Sequence, residues 1–112
     1  MAYQKYVVGR EFIRFEKTGD SIEGYLDRIE ETKVLGKDTE RVVLIGDDGI
    51  EIYLPSNFQI NEFAKRVIDE YGTGIKVKIE YKGDRKIKGG RTLRLFDFYI
   101  DPEDVLQRDS QS

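Results

Sequence analysis

Polar and apolar positions alternate with a period of two along most of this chain, and one stretch changes to a helical period. Ile22, Gly24 and Leu26 share one face and Glu23 and Tyr25 the other, which predicts a strand. The alternation fails between Leu26 and Ile29, so a bulge or sharp bend is expected there. Gly24 carries no side chain and lets a neighbouring element come close. Residues 30 to 39 are polar, carry Gly36 and read as a loop. Arg41 then opens the run Val42-Val43-Leu44-Ile45, a strand covered on much of both faces. Gly46-Asp47-Asp48-Gly49 predicts a hairpin turn. Ile50, Ile52 and Leu54 alternate with Glu51 and Tyr53 until Pro55, which cannot donate to a ladder.

The helical stretch covers residues 61 to 71, where Phe63, Val67, Ile68 and Tyr71 form one apolar stripe. Asn61 is the expected N-cap, and Gly72 and Gly74 are stop signals. Ile75, Val77, Ile79 and Tyr81 next alternate with Lys76, Lys78, Glu80 and Lys82, the cleanest amphipathic strand in the chain. Residues 83 to 91 (GDRKIKGGR) read as a glycine-rich basic loop. A last strand follows over residues 92 to 100, with Phe96, Phe98 and Ile100 on one face and Leu93, Leu95 and Tyr99 on the other. Both faces are expected to be covered, and Pro102 to stop the strand. At the amino end, Phe12-Ile13-Arg14-Phe15 precedes the turn Thr18-Gly19-Asp20 and either extends the first strand or forms a small extra one.

Five short strands with a helix between the third and fourth predict an all-β fold with one helix. The order is that of a five-stranded OB-fold barrel, a small Greek-key architecture. An SH3-like barrel does not explain an amphipathic helix in that slot, and a plain α+β roll is the second rival. The expected organisation is an amino-terminal arm over residues 1–11, an OB-fold domain over 12–101 and a mildly acidic tail over 102–112. Tyr3 and Tyr6 in the arm either pack on the domain or belong to a loose segment.

A chain of 112 residues has room for one domain. It contains no Cys and no His, which removes thiolate chemistry and the commonest general base and metal ligand near neutral pH. No apolar run approaches the length of a membrane span, so a cytoplasmic protein with no membrane partner is expected.

The net charge of −3 at first argues against a polyanionic partner. Its distribution argues the other way. Between Gly74 and Arg94, eight basic residues face only Glu80 and Asp84, a net of +6; with the whole chain at −3, the remainder carries −9. Surface charges more than about 8 Å apart are largely screened, so such a segment attracts a polyanion locally whatever the total. Lys82, Arg85, Lys86, Lys88 and Arg91 are the expected phosphate contacts, with Lys33, Lys37, Arg41 and Arg94 assisting. Tyr25 and Tyr53 point outward if Ile22, Leu26, Ile52 and Leu54 point inward, and are expected to stack bases. Two blander readings compete: a lysine-bearing strand face is commonly just solvated, and the two tyrosines could be edge residues capped by the amino-terminal arm.

With these residues in view, the chain resembles the small OB-fold single-stranded-DNA-binding proteins of bacteriophages. The resemblance rests on the stretch from Phe15 to Gly24 (FEKTGDSIEG) and on Asp48-Gly49 followed by residues 50 to 54. It also rests on the helix, the stretch from Gly74 to Gly83 (GIKVKIEYKG), and a basic glycine-rich loop before an aromatic last strand. It covers about residues 12 to 101 and implies binding of single-stranded DNA during replication, recombination or repair of a viral genome, in the host cytoplasm. RNA is a second candidate ligand. Replication or recombination proteins, and a second copy paired through a free strand edge, are further candidate partners. One departure concerns the carboxyl end. Many such proteins close on a strongly acidic tail with an aromatic tip, whereas residues 101 to 112 carry a net of only −3 and finish Arg108-Asp109-Ser110-Gln111-Ser112. Glu103 and Asp104 are left a smaller role, shielding the groove when no ligand is bound.

Catalysis is not expected, and no catalytic residue, metal or cofactor is assigned. Glu80-Tyr81-Lys82 resembles the E-x-K triplet of metal-dependent nucleases, with Asp69 a nominal third group, but alternating charge on an exposed strand produces it by chance. Asp47-Asp48 precedes Gly49 and reads as a turn. The alternative to DNA binding is a protein-interaction barrel in a viral or replication assembly, its basic loop meeting an acidic partner.

Overall fold

The computed structural model describes residues 9–106. Six strands form one mixed sheet: β1 (Arg10–Phe12), β2 (Ser21–Val34), β3 (Lys37–Ile45), β4 (Glu51–Tyr53), β5 (Ile75–Lys86) and β6 (Thr92–Val105). Helix α1 (Phe58–Tyr71) lies between β4 and β5. The strand order is β1-β4-β3-β2-β5-β6, and only β1 and β4 run parallel. The fold is therefore mostly β with one helix, as expected. Among the described residues no ladder joins β6 to β1 or β4, so the hydrogen-bonded sheet is open at both edges.

One core holds these elements together. Leu26, Leu44, Ile52, Val77, Ile79 and Phe96 project from five strands onto Ile60, Ala64 and Val67 of α1 and onto Phe15. Tyr81 is in this core too, as the alternation of β5 requires. Phe63 stacks on Phe98 with ring centroids 4.6 Å apart. At Gly24 a Cβ would stand 3.0 Å from Leu44 Cβ and 3.1 Å from the Ile45 carbonyl oxygen, so β2 and β3 approach as closely as they do only because no side chain is present. The expected irregularity is also there: the β2–β3 register slips between Leu26 and Arg28. Past that bulge, Arg28 lies beside Val43 and Glu30 beside Arg41.

Several boundaries differ from those the sequence suggests. Helix α1 begins three residues earlier, because Asn57 rather than Asn61 is the cap; its side-chain oxygen accepts from the N–H groups of Gln59 and Ile60 at 2.9 and 3.1 Å. Asn61 instead donates from Nδ2 to the Glu40 carbonyl at 3.1 Å, tying the helix to β3. Residues 30 to 39 are not a loop. They continue β2 and β3 as a ladder that reverses at Leu35-Gly36, both at positive φ (52° and 81°), the signature of a type I′ turn. Likewise β5 runs on to Lys86, and only a short 3-10 turn over Lys88–Gly90 separates it from β6. Pro102 does not stop β6, because it falls in the register slip between the pairs Lys76–Asp101 and Ile75–Val105, where it has no ladder partner. The outer face of β6 is not covered either: Leu93 and Tyr99 are exposed.

A small extra strand does form, but it is Arg10–Phe12; of the segment from Phe12 to Phe15 only Phe12 belongs to it. Arg10 and Glu11, assigned to the arm from sequence, pair with Glu51 and Ile52 of β4. Tyr3 and Tyr6, and the last six residues of the tail, lie outside the described residues. Among the described residues no helix is long and apolar enough to cross a membrane.

Candidate nucleic-acid interface

Strand alternation gives the sheet an outer face opposite the core. On β4 and β1 that face carries Tyr53 and Phe12, which are register partners. Their ring centroids are 5.0 Å apart. Tyr53 was expected to be exposed, yet it is only 3% exposed, whereas Phe12 above it is 65% exposed. The cover on Tyr53 comes from Phe12 and from two guanidinium groups, Arg41 at 4.3 Å and Arg10 at 5.7 Å from the ring centroid. Arg41 also lies 5.6 Å from the Phe12 ring. The reading in which the amino-terminal segment caps Tyr53 is the one observed. The outer ring of this stack is Phe12.

A network of charges locks this stack. Arg41 donates from Nε to Glu30 at 2.8 Å, and its Nη2 is 2.6 Å from the same carboxylate. Arg28 reaches Asp27 at 2.6 Å, Glu30 at 3.0 Å and Glu51 at 3.0 Å. The Tyr53 hydroxyl donates to Glu51 at 2.7 Å. That bond raises the Tyr53 phenol and, with the bond from Arg28, holds Glu51 below its usual range. Burial alone pushes Glu30 up, but hydrogen bonds from Arg41 and Arg28 outweigh it and the net direction is down. Arg41 is thus a structural stacking partner whose charge is already matched.

Beside the stack runs a cleft. One part, of about 390 Å³, is walled by Phe12, Arg14, Arg41, Thr32, Val34 and Pro55. The next part, of about 410 Å³, is walled by Arg14, Phe15, Glu16, Pro55 and Arg94. Arg14 and Pro55 border both, so the two parts adjoin. The cleft leads from the β2–β3 hairpin toward Arg94, two residues from the end of the β5–β6 ladder.

The basic residues differ in how free they are. Lys82 stands 3.8 Å from both Glu80 and Asp97. Arg94 lies 3.8 Å from Asp84 and 4.8 Å from the centre of the Tyr81 ring. Lys33 is exposed, with Asp38 at 3.8 Å. Lys37 is exposed at the same hairpin end. By contrast, Arg85, Lys86, Lys88 and Arg91 are exposed and have no acidic partner among the described residues. Gly89 and Gly90, at φ 84° and 73°, make the sharp reversal between them possible.

Tyr25 stands apart from the cleft. Its hydroxyl donates to Asp104 at 2.9 Å, and the ammonium of Lys76 is 5.5 Å from its ring centre and 3.7 Å from Asp104. The Asp104 bond pushes the phenol up to about 12. The structure therefore brings Arg41, Tyr53 and Arg94 to one cleft, sets Lys33 and Lys37 at one end of it, gathers four cations beyond the other, and leaves Tyr25 outside. Phe12, Arg10 and Arg14 were missed as site residues. Their signal was present, since Arg10, Phe12 and Arg14 alternate with Glu11 and Ile13 in strand fashion.

No protein-family model, no curated protein and no solved structure matches this chain.

Proposed function

We propose that this chain is an OB-fold module that binds single-stranded DNA with little sequence preference, in replication, recombination or repair of a genome, that of a phage by the sequence resemblance. The connectivity supports the fold reading: β2 pairs with both β3 and β5, and α1 falls between β4 and β5. The observation that carries the function is the joining of two chemistries along one cleft. A largely exposed aromatic ring stands on its wall, and four unmatched cations stand on the hairpin beyond its end. Bases stack on an aromatic face irrespective of identity, while cations follow the phosphates.

In this reading Phe12 stacks a base, supported from beneath by Tyr53 and Arg41. Arg14 and Arg94 line the path, and Arg85, Lys86, Lys88 and Arg91 meet phosphates with Lys82 in support. Lys33 and Lys37 serve the opposite end. Tyr25 stands off the path, its hydroxyl held by Asp104, a carboxylate that shields this tyrosine and Lys76.

The test is a titration by fluorescence anisotropy on single-stranded DNA, duplex DNA and RNA across a range of salt. Each phosphate contact on a single strand contributes about −0.7 to the log–log salt slope, so four engaged cations predict roughly −3. Absence of binding to oligothymidine at low salt overturns the proposal and leaves the protein-interaction barrel.

A further inference from the structure

The β2–β3 hairpin ends in an unusual way. Leu35 is 98% exposed, and Val34 beside it is half exposed. Leu35 is also the one non-glycine residue at positive φ among the described residues. A two-residue type I′ turn is normally made by Asn-Gly or Asp-Gly, because an L residue with a bulky side chain is strained there. Here a leucine occupies the strained position and gains no burial in return. Two ordinary reasons for a leucine, turn preference and core packing, are both missing. Backbone strain at an exposed apolar tip points to a task outside the fold.

Position suggests the task. Val34 and Thr32 line the same cleft as Phe12 and Arg41. Leu35 follows Val34 in the turn, next to the cleft that Phe12 lines. Lys33 and Lys37 flank it, with Asp38 3.8 Å from Lys33. Apolar side chains on protruding elements insert between base steps and unstack them, and leucine is among the residues that do so.

We propose that Leu35 is a wedge that stacks against the first base pair where single-stranded DNA in the cleft meets duplex, and opens that pair. This inference rests on the single-stranded-DNA reading above, and it assigns that site a substrate preference: junctions rather than uniform single strands.

The test uses the full chain and tailed duplexes with 2-aminopurine in the first pair, in both tail polarities, beside untailed and fully single-stranded controls. Wild type should raise 2-aminopurine fluorescence on one tail polarity and bind that junction about fivefold more tightly than the single strand, a modest share of one stacking interaction. Leu35→Asn suits the turn, so it should keep or raise the Tm by about 4 °C. It should bind oligothymidine like wild type, yet lose the fluorescence rise and the junction preference. Leu35→Met should retain both. An unchanged rise in Leu35→Asn overturns the wedge. So does wild type that binds single strands but leaves the junction pair stacked, the result expected if the tip docks a protein. Failure of wild type to bind oligothymidine at all overturns the underlying reading instead.

Discussion

The two long hairpins are built alike and finish differently. In β2–β3 the ladder continues to Val34 and Lys37, the turn takes two residues, and its exposed end is apolar. In β5–β6 the register slips between Tyr81 and Gly83, the ladder continues to Lys86 and Thr92, and the end carries four cations without acidic partners among the described residues. Lower down, several cations are matched: Arg28 and Arg41 by three carboxylates, Lys76 by Asp104, Lys82 by Glu80 and Asp97. An exposed matched pair adds little to stability or to attraction for a ligand. The β5–β6 end thus gathers four cations without acidic partners among the described residues, whereas the β2–β3 end carries an apolar tip, Val34-Leu35, between Lys33 and Lys37.

The largest expected effect is at the cationic end. Replacing Arg85, Lys86 and Lys88 together by Glu should weaken oligothymidine binding by about a hundredfold at low salt and flatten the log–log salt slope by about 2. Tm should hardly move, since all three are exposed. Unchanged affinity would take the DNA path off this hairpin. Phe12→Ala should cost about tenfold with the salt slope intact, whereas Phe12→Tyr should bind normally; a change of slope would mean that the stack acts through charge. Lys33→Glu with Lys37→Glu should cost only about threefold. If that pair costs as much as the triple, the contrast between the hairpins fails.

The smallest effect is a pH limb. Glu30 and Glu51 have folded-state pKa values below the ordinary 4.5. A depressed carboxyl stabilises the fold above its unfolded pKa, and that contribution is lost as pH falls through the lower folded value. Tm should therefore decline below about pH 4.5, and Glu51→Gln should shorten the decline. An acid limb identical in the variant would show that the Arg28 network adds no stability.

What the sequence made legible was local. The Gly24 approach, the slip after Leu26, the Asp48-Gly49 turn and the amphipathic alternation of β5 all follow from neighbours within a few residues. What it concealed depended on partners distant in sequence. Tyr53 alternates like an outward residue and is one, but its cover comes from Phe12, forty-one positions earlier, through a parallel pairing with no local signal. Arg41 looks free until the register sets Glu30 beside it. Pro102 reads as a stop unless the β5–β6 register is known to slip there. The Leu35-Gly36 reversal was hidden for another reason: leucine is not a turn former, so the chemistry that makes the tip interesting also masked it.

The end of the β5–β6 hairpin is self-contained. Every residue from Arg85 to Leu93 is exposed, and the reversal is closed by its own hydrogen bond from the Ile87 N–H to the Arg91 carbonyl at 2.9 Å. Nothing in the core leans on it. Doubling the length of such a reversal costs only about 0.6 kcal/mol of closure entropy. Natural variation can therefore lengthen, shorten or recharge this tip while the rest of the molecule folds as before. It behaves as an exchangeable fitting, a part that can be altered without rebuilding the protein.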